Sequence, residues 1–149
     1  MEVSVQTADF DVGYEVAALG AGDSGAGAVA SFVGLVRGGE VAAITLEHYP
    51  GMTEQALAEI VDQAKRRWQP HQVRVIHRIG RLLPGNNIVF VGVSSVHRSD
   101  AFTACEFIMD FLKTRAPFWK KEETPQGSHW VDARESDTTA AARWSKDSI

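Results

Sequence analysis

Apolar positions along the chain recur at two spacings, and the changes from one to the other mark out the expected elements. Val3 and Val5 alternate with polar neighbours, and residues 12–19 carry the pattern of a short amphipathic helix. Residues 20–27 are rich in Gly and Ala and read as a flexible connection. Residues 28–36 (AVASFVGLV) and 41–49 (VAAITLEHY) predict two strands joined across Arg37-Gly38-Gly39-Glu40, a hairpin-like turn. Pro50-Gly51 then ends the strand, and Leu57, Ile60, Val61, Ala64 and Trp68 recur at helical spacing behind Thr53 as candidate N-cap. Glu54 in the first turn and Lys65, Arg66 and Arg67 in the last suit the helix dipole. Val73, Val75, His77 and Ile79 alternate with Arg74, Ile76 and Arg78, which predicts a strand with one buried face. Residues 80–87, with Pro84-Gly85, read as a loop, and residues 88–96 (IVFVGVSSV) as a central strand. Ser99 or Asp100 caps a second helix whose Phe102, Cys105, Ile108, Met109 and Leu112 face the core, ending near Ala116 because Pro117 disfavours helix before it. A short strand is expected at 129–133, followed by a polar C-terminal tail, 138–149, that contains Trp144.

The predicted order is strand, strand, helix, strand, strand, helix. Its hairpin-length links imply an α+β fold: a mostly antiparallel sheet with helices packed on one face. With 149 residues, 44% of them hydrophobic, the chain suffices for one well-buried core, so a single domain over 1–149 is expected. Fifteen Lys and Arg against 19 acids give a formal charge of −4, which leaves no global basic excess to drive nucleic-acid binding. Any anion site must be local. One cysteine excludes an internal disulfide framework and a cysteine-only metal cage, and no metal-ligand spacing is present. No apolar run approaches the roughly 20 residues of a membrane span, and the first ten residues carry acids where a secretory signal has basic and apolar blocks, so a cytoplasmic protein is expected. Neither a P-loop nor a dinucleotide fingerprint is present.

Within this acidic chain, residues 113–121 (KTRAPFWKK) hold four cations and no acid. A helix end followed by a proline-stiffened turn can set Lys113 and Lys120 around a phosphate or acyl group. Equally, Lys113 and Arg115 suit a helix C-terminus, and Lys120 and Lys121 can pair with Glu122 and Glu123. His97-Arg98 falls where a strand gives way to a helix N-terminus, whose free N–H groups suit an anion; the other reading is a hydrogen-bonded strand-end histidine and a solvent-facing arginine. Arg37 ends the first predicted strand beside a glycine loop, a place for a ligand contact or a plain surface charge. His48 and His77 sit in alternating strand segments and are assigned no role. Cys105 falls on an apolar helix face, where a thiol is inert. Phe118-Trp119 can wall a planar ligand, contact a partner, or simply pack.

Five stretches, SFVGLVR (31–37), LEHYPGMTE (46–54), VIHRIG (75–80), HRSDAF (97–102) and LKTRAPFWKKE (112–122), together resemble the family of large, catalytic subunits of molybdopterin synthase. The resemblance spans residues 28–137. It implies an α/β hammerhead fold, and a homodimer of this chain within a heterotetramer, one small subunit docked at each end. That ubiquitin-like small subunit ends in a Gly-Gly thiocarboxylate, which delivers two sulfurs in turn to cyclic pyranopterin monophosphate (precursor Z) to make the molybdopterin dithiolene. The sulfur comes from the partner, in keeping with the absence of a catalytic cysteine, and no cofactor or metal is implied. Carried over by motif, Lys113 and Lys120 fall on the two essential pocket lysines. Leu35, Val36, Arg37, His97, Arg98, Lys121 and Glu122 fall on or beside the substrate site, and Arg134 is a further basic candidate. On this reading Lys113 acts as general base or transient acyl acceptor and Lys120 orients substrate or tail. Arg37, His97 and Arg98 hold phosphate and carboxylate through charge-assisted bonds, with His97 able to relay a proton. Two rival readings are a non-catalytic module that binds a ubiquitin-like tail through its basic pocket with Phe118 and Trp119 as anchors, and an enzyme of another small phosphometabolite on the same scaffold.

Overall fold

The computed structural model describes residues 2–22, 25–131 and 135–144. In chain order they form β1 (Val3–Gln6), α1 (Val12–Gly20), β2 (Ala28–Leu35), β3 (Ala43–His48), α2 (Met52–Trp68), β4 (Gln72–Arg78), β5 (Gly80–Leu82), β6 (Asn87–Ser95), α3 (Arg98–Arg115), β7 (Phe118–Thr124), β8 (Gly127–Val131) and α4 (Glu135–Ala142). The expected α+β architecture is present, but its strands form two sheets, β1-β4-β6-β2 and β5-β3-β7-β8. Among the described residues only the β1–β4 pairing is parallel.

The hairpin expected between residues 28–36 and 41–49 is therefore not formed, because each strand finds its partners elsewhere. Past β2 the chain stays bonded to the segment before β6, with Val36 N–H donating to the Asn86 carbonyl and Gly85 N–H to the Val36 carbonyl. Ala42 N–H then donates to the Glu123 carbonyl and opens the ladder of β3 with β7. The predicted loop at 80–87 is also partly strand. Ile79 N–H still bonds Gln6 in the first sheet, whereas Gly80 pairs with Leu46 in the second. The switch happens at Gly80, whose φ of 91° favours glycine.

The main core lies between the first sheet and one layer made of α2 and α3. Leu57, Ile60, Val61 and Ala64 of α2 and Ala104, Phe107, Ile108, Phe111 and Leu112 of α3 pack on Val73, Val75, Val89, Val91 and Val93. Full burial of each large side chain stabilises by about 1.5–3 kcal/mol. Helices cover both faces, contrary to the one-sided packing expected: Leu19 of α1 packs on Ile76 and Phe90 from the other side. For the same reason β4 buries Val75 and Ile76 alike, so it has two buried faces. A smaller cluster of Val36, Ile44, Leu46 and Leu82 joins the sheets.

Three local expectations yield to tertiary contacts. The N-cap of α2 is Gly51, its N–H bonded to the Glu54 carboxylate at 2.8 Å, and Thr53 lies inside the helix. The N-cap of α3 is His97, with Ser99 and Asp100 in the first turn. Phe102 is 65% exposed, since the stripe running through Ala101, Ala104, Ile108 and Phe111 is turned to the core. Met109 is half-buried at its margin.

At the C-terminal end, the stretch expected as a polar tail holds the end of α4, and Ala141 and Trp144 are buried in the main core. The Trp144 indole N–H donates to Asp110 at 2.6 Å, and its ring meets Phe107 edge-on at 5.4 Å. The strand expected at 129–133 is observed as β8, which begins at Gly127; residues 132 and 133 lie outside the described residues. Among the described residues, no helix is long and apolar enough to cross a membrane.

Candidate active site

The end of α3 and the start of β7 carry the basic segment. Arg115 is the last helical residue, Ala116 is already extended, and Pro117 prevents the helix from continuing. Phe118 N–H bonds the Ala116 carbonyl at 2.9 Å, so the link from Lys113 to Lys120 is short and sharply turned. Lys113 is exposed on the last turn of α3. Lys120 is half-buried, in register between Leu46 and Val131, with its ammonium 3.9 Å from Glu122, which in turn lies 3.8 Å from His129.

Strand alternation sorts the neighbours. Phe118, Lys120 and Glu122 share the face of β7 that also carries His48, Leu46 and Ile44 across the ladder. Lys121 is turned to the other face, its ammonium 5.4 Å from the Trp130 ring centre. Glu123, on that face too, makes a two-pronged pair with Arg81 at 3.0 and 3.2 Å. Of the pairings open to Lys120 and Lys121 in the sequence, the structure thus shows Lys120 with Glu122.

Arg37 joins the lysines through β2. Leu35 is opposite Asn87 at the start of β6, and α3 runs back along β6, so its Lys113 end lies at the same edge of the first sheet as Arg37. Leu46, the neighbour of Lys120, packs with Val36. Leu35 and Arg37 are exposed at this end, whereas the Val36 side chain is buried in that cluster.

His97 and Arg98 are elsewhere. They sit exposed at the start of α3, in a shallow cleft with Gly27, Val96 and Ser99. Gly27 admits no side chain here, because a Cβ would fall 2.2 Å from the Val96 carbonyl oxygen. From Arg98 to Lys113 the helix rises about 22 Å, at ~1.5 Å per residue. One chain therefore gathers Arg37, Lys113 and Lys120 at one end and His97 and Arg98 at the other, and the single pocket expected from sequence is not formed within it. Arg134 lies outside the described residues.

Beneath the lysine link sits a histidine that the sequence left without a role. His77 is 5% exposed, and its ring stacks on Phe118 with centres 3.8 Å apart and planes 18° from parallel. Nδ1 is 2.8 Å from the Arg78 carbonyl. A carbonyl only accepts, so Nδ1 carries the proton and Nε2 keeps its lone pair in the neutral ring. Burial pushes the imidazole down to about 4, the charges of Lys113 and His48 push the same way, and the Arg78 bond opposes them. The sequence signal was its position: His77 continues the buried parity of Val73 and Val75.

Cys105 is buried, its Sγ–H directed to the Val91 carbonyl at 3.6 Å, and burial with nearby Glu106 pushes its thiol up to about 11. Alkylation by iodoacetamide at pH 7.5 is expected to leave the folded chain unmodified over an hour and to go to completion in denaturant; rapid labelling of the folded chain would show an accessible thiolate.

Comparison with known proteins adds relatives to this geometry. The family model described as MoaE protein matches residues 5–115. The chain is 63% identical over 139 residues to the molybdopterin synthase catalytic subunit of Escherichia coli (strain K12), covering 91% of this chain and 92% of that protein. It is 61% identical over 146 residues to the protein of that name from Vibrio cholerae serotype O1, covering 95% and 97%. The solved structure of the molybdopterin biosynthesis MoaE protein from Burkholderia ambifaria MC40-6 superimposes with a TM-score of 0.85 at 56% identity, covering 98% of this chain and 99% of that one.

Proposed function

The chain belongs to the MoaE protein family, and from that premise we propose that it is the catalytic subunit of a molybdopterin synthase, a sulfurtransferase. It takes two sulfurs in turn, one from each of two C-terminal thiocarboxylates carried by ubiquitin-like small subunits ending in Gly-Gly, and each spent tail is left as a carboxylate. It delivers the sulfurs to cyclic pyranopterin monophosphate and so forms the dithiolene of molybdopterin. The observation that carries this reading is the grouping of Arg37, Lys113 and Lys120 at one end of the first sheet. Three cations there suit a substrate phosphate and an incoming carboxylate-like tail.

Lys113, exposed at the end of a rigid helix, acts on the reacting groups either as general base or as transient acyl acceptor; in both roles its amine must be unprotonated when it acts. Lys120, with Glu122 beside it, orients substrate or tail, and Arg37 holds the phosphate. The ~22 Å between Arg98 and Lys113 gives the proposed homodimer a chemical role. His97 and Arg98 complete a pocket with Arg37 and the lysines only if a second copy presents them. Lys121 contributes through the general positive field, since it is turned away over Trp130.

The deciding experiment is mass spectrometry of the pterin after the chain is mixed with cyclic pyranopterin monophosphate and thiocarboxylated small subunit. A product carrying two sulfurs is expected. A small subunit that binds while the pterin gains no sulfur would instead support a tail-binding module.

A further inference from the structure

Two buried polar side chains outside the proposed chemistry meet the link between the lysines, each from a different element. Thr53 of α2 is fully buried. Its hydroxyl donates to the Pro117 carbonyl at 2.9 Å and accepts from Tyr49 N–H at 2.9 Å, so the bond to the link is fixed in direction. His77 of β4 is stacked flat on Phe118, the next residue, and its own ring is tied to the Arg78 carbonyl. We infer that Thr53 and His77 form a positioning clamp on the 116–118 link, setting the distance and orientation between Lys113 and Lys120. The inference rests on the reading of Lys113 as the acting group and Lys120 as the orienting one, and adds residues that touch neither substrate nor tail.

The link needs such a clamp for a local reason. After Arg115 the chain has left the helix, and it enters the β3 ladder only at Phe118. Pro117 has no N–H to donate, so its carbonyl is its only backbone hydrogen-bonding group, and Thr53 holds it. Neither contact is available from simple packing. A valine at position 53 would fill the same space without the bond, and a leucine at 77 would fill the core without the flat face. The ionisable groups around the clamp are Lys113 from α3, His48 from β3, and Glu54 from α2, with Glu54 lying 3.6 Å from His48. A neutral ring at position 77 keeps a further positive charge away from Lys113. Reacting groups displaced by about 1 Å lose on the order of 100-fold in rate even when binding is intact.

The test compares Thr53→Val, Thr53→Ser, His77→Phe and His77→Leu in the complex with the small subunit, with kcat normalised to the folded fraction. Thr53→Val and His77→Leu are expected to lose about 100-fold in kcat with KM for the pterin changed less than about threefold. Thr53→Ser, which restores the hydroxyl, and His77→Phe, which restores the stack, are expected to recover most of that loss. A merely structural role would lower the folded fraction and leave normalised kcat alone. Should His77→Leu fail to fold, the Thr53→Val and Thr53→Ser pair decides by itself. The NMR signals of the Lys113 and Lys120 Cε groups supply a readout independent of turnover, and they are expected to move in Thr53→Val and stay near wild type in Thr53→Ser. Normal kcat and unmoved lysine signals in folded Thr53→Val would overturn the clamp while Lys113→Ala still tests the lysine reading. Lysine signals that move in a protein without sulfur transfer would keep the clamp and overturn the reading of the site.

Discussion

Lys113→Ala is expected to abolish sulfur transfer, lowering the rate of two-sulfur product formation by on the order of 10³-fold or more, because it removes the group that acts on the reacting atoms in either proposed role. Its fold and its binding of the small subunit are expected to survive. The side chain is exposed and contributes little to the core, whose α3 members are Ala101, Ala104, Cys105, Phe107, Ile108, Phe111 and Leu112. Circular dichroism and gel filtration with the small subunit check the fold and the complex, and mass spectrometry checks the product. Wild-type turnover in a folded Lys113→Ala protein would remove Lys113 from the mechanism. The dimer reading extends the same experiment. If one copy supplies Lys113 and the other Arg98, mixed dimers of Lys113→Ala with Arg98→Ala contain one pocket in which both residues are intact. Activity recovered on mixing two weakly active proteins is then expected, up to about half of wild type in the mixed dimer if the pockets act independently. No recovery on subunit exchange would place both residues in the site of one chain, against the ~22 Å that α3 sets between them.

What could be read from the sequence was local, and what could not was pairing. The 3.6-residue recurrence of Leu57, Ile60, Val61 and Ala64 gave α2, and the apolar run at 88–96 gave the central β6, because each pattern answers to a core lying directly over it. The division into two sheets was hidden because Arg37-Gly38-Gly39-Glu40 has the composition of a hairpin turn. What separates β2 from β3 is their contact with residues 85–86 and 123, distant in sequence. Thr53 obeyed a local capping rule on paper, yet its hydroxyl bonds Pro117, 64 residues away. β7 was missed because its Lys and Glu residues lack the apolar alternation that marks a strand; register with β3 and β8 holds it instead. The site residues Arg37, Lys113 and Lys120 were legible only as a shared charge and a shared motif. Their grouping needed the antiparallel course of β2, β6 and α3. The separation of His97 and Arg98 from Lys113, by contrast, follows from helix length alone.

Acid destabilisation with a large contribution from one buried histidine is the second large effect. The imidazole of His77 titrates near 6.5 in the unfolded chain, and burial lowers it to about 4 in the fold. Above pH 6.5 the ring is neutral in both states and contributes no pH dependence. Between 6.5 and 4 the unfolded chain takes up a proton that the folded chain refuses, so stability falls as the pH falls; below 4 both states are charged and the loss levels off. Lowering from the ordinary value to about 4 corresponds to roughly 3 kcal/mol, lost between pH 7 and pH 4. Asp9 and Glu123 also lose stabilising interactions in acid, because hydrogen bonds hold both carboxyls below their usual range. Their contribution is common to wild type and to His77→Phe, so it cancels in the comparison. Urea unfolding midpoints at pH 7.5 and 4.5 are therefore expected to fall much further apart in wild type than in His77→Phe, which keeps the ring on Phe118 and has nothing to protonate. Parallel loss in the two proteins would mean that His77 takes up its proton in the folded state near its ordinary value. The ring would then carry a positive charge close to Lys113 in acid, while the stack on Phe118 and the Thr53 bond to Pro117 would be unchanged.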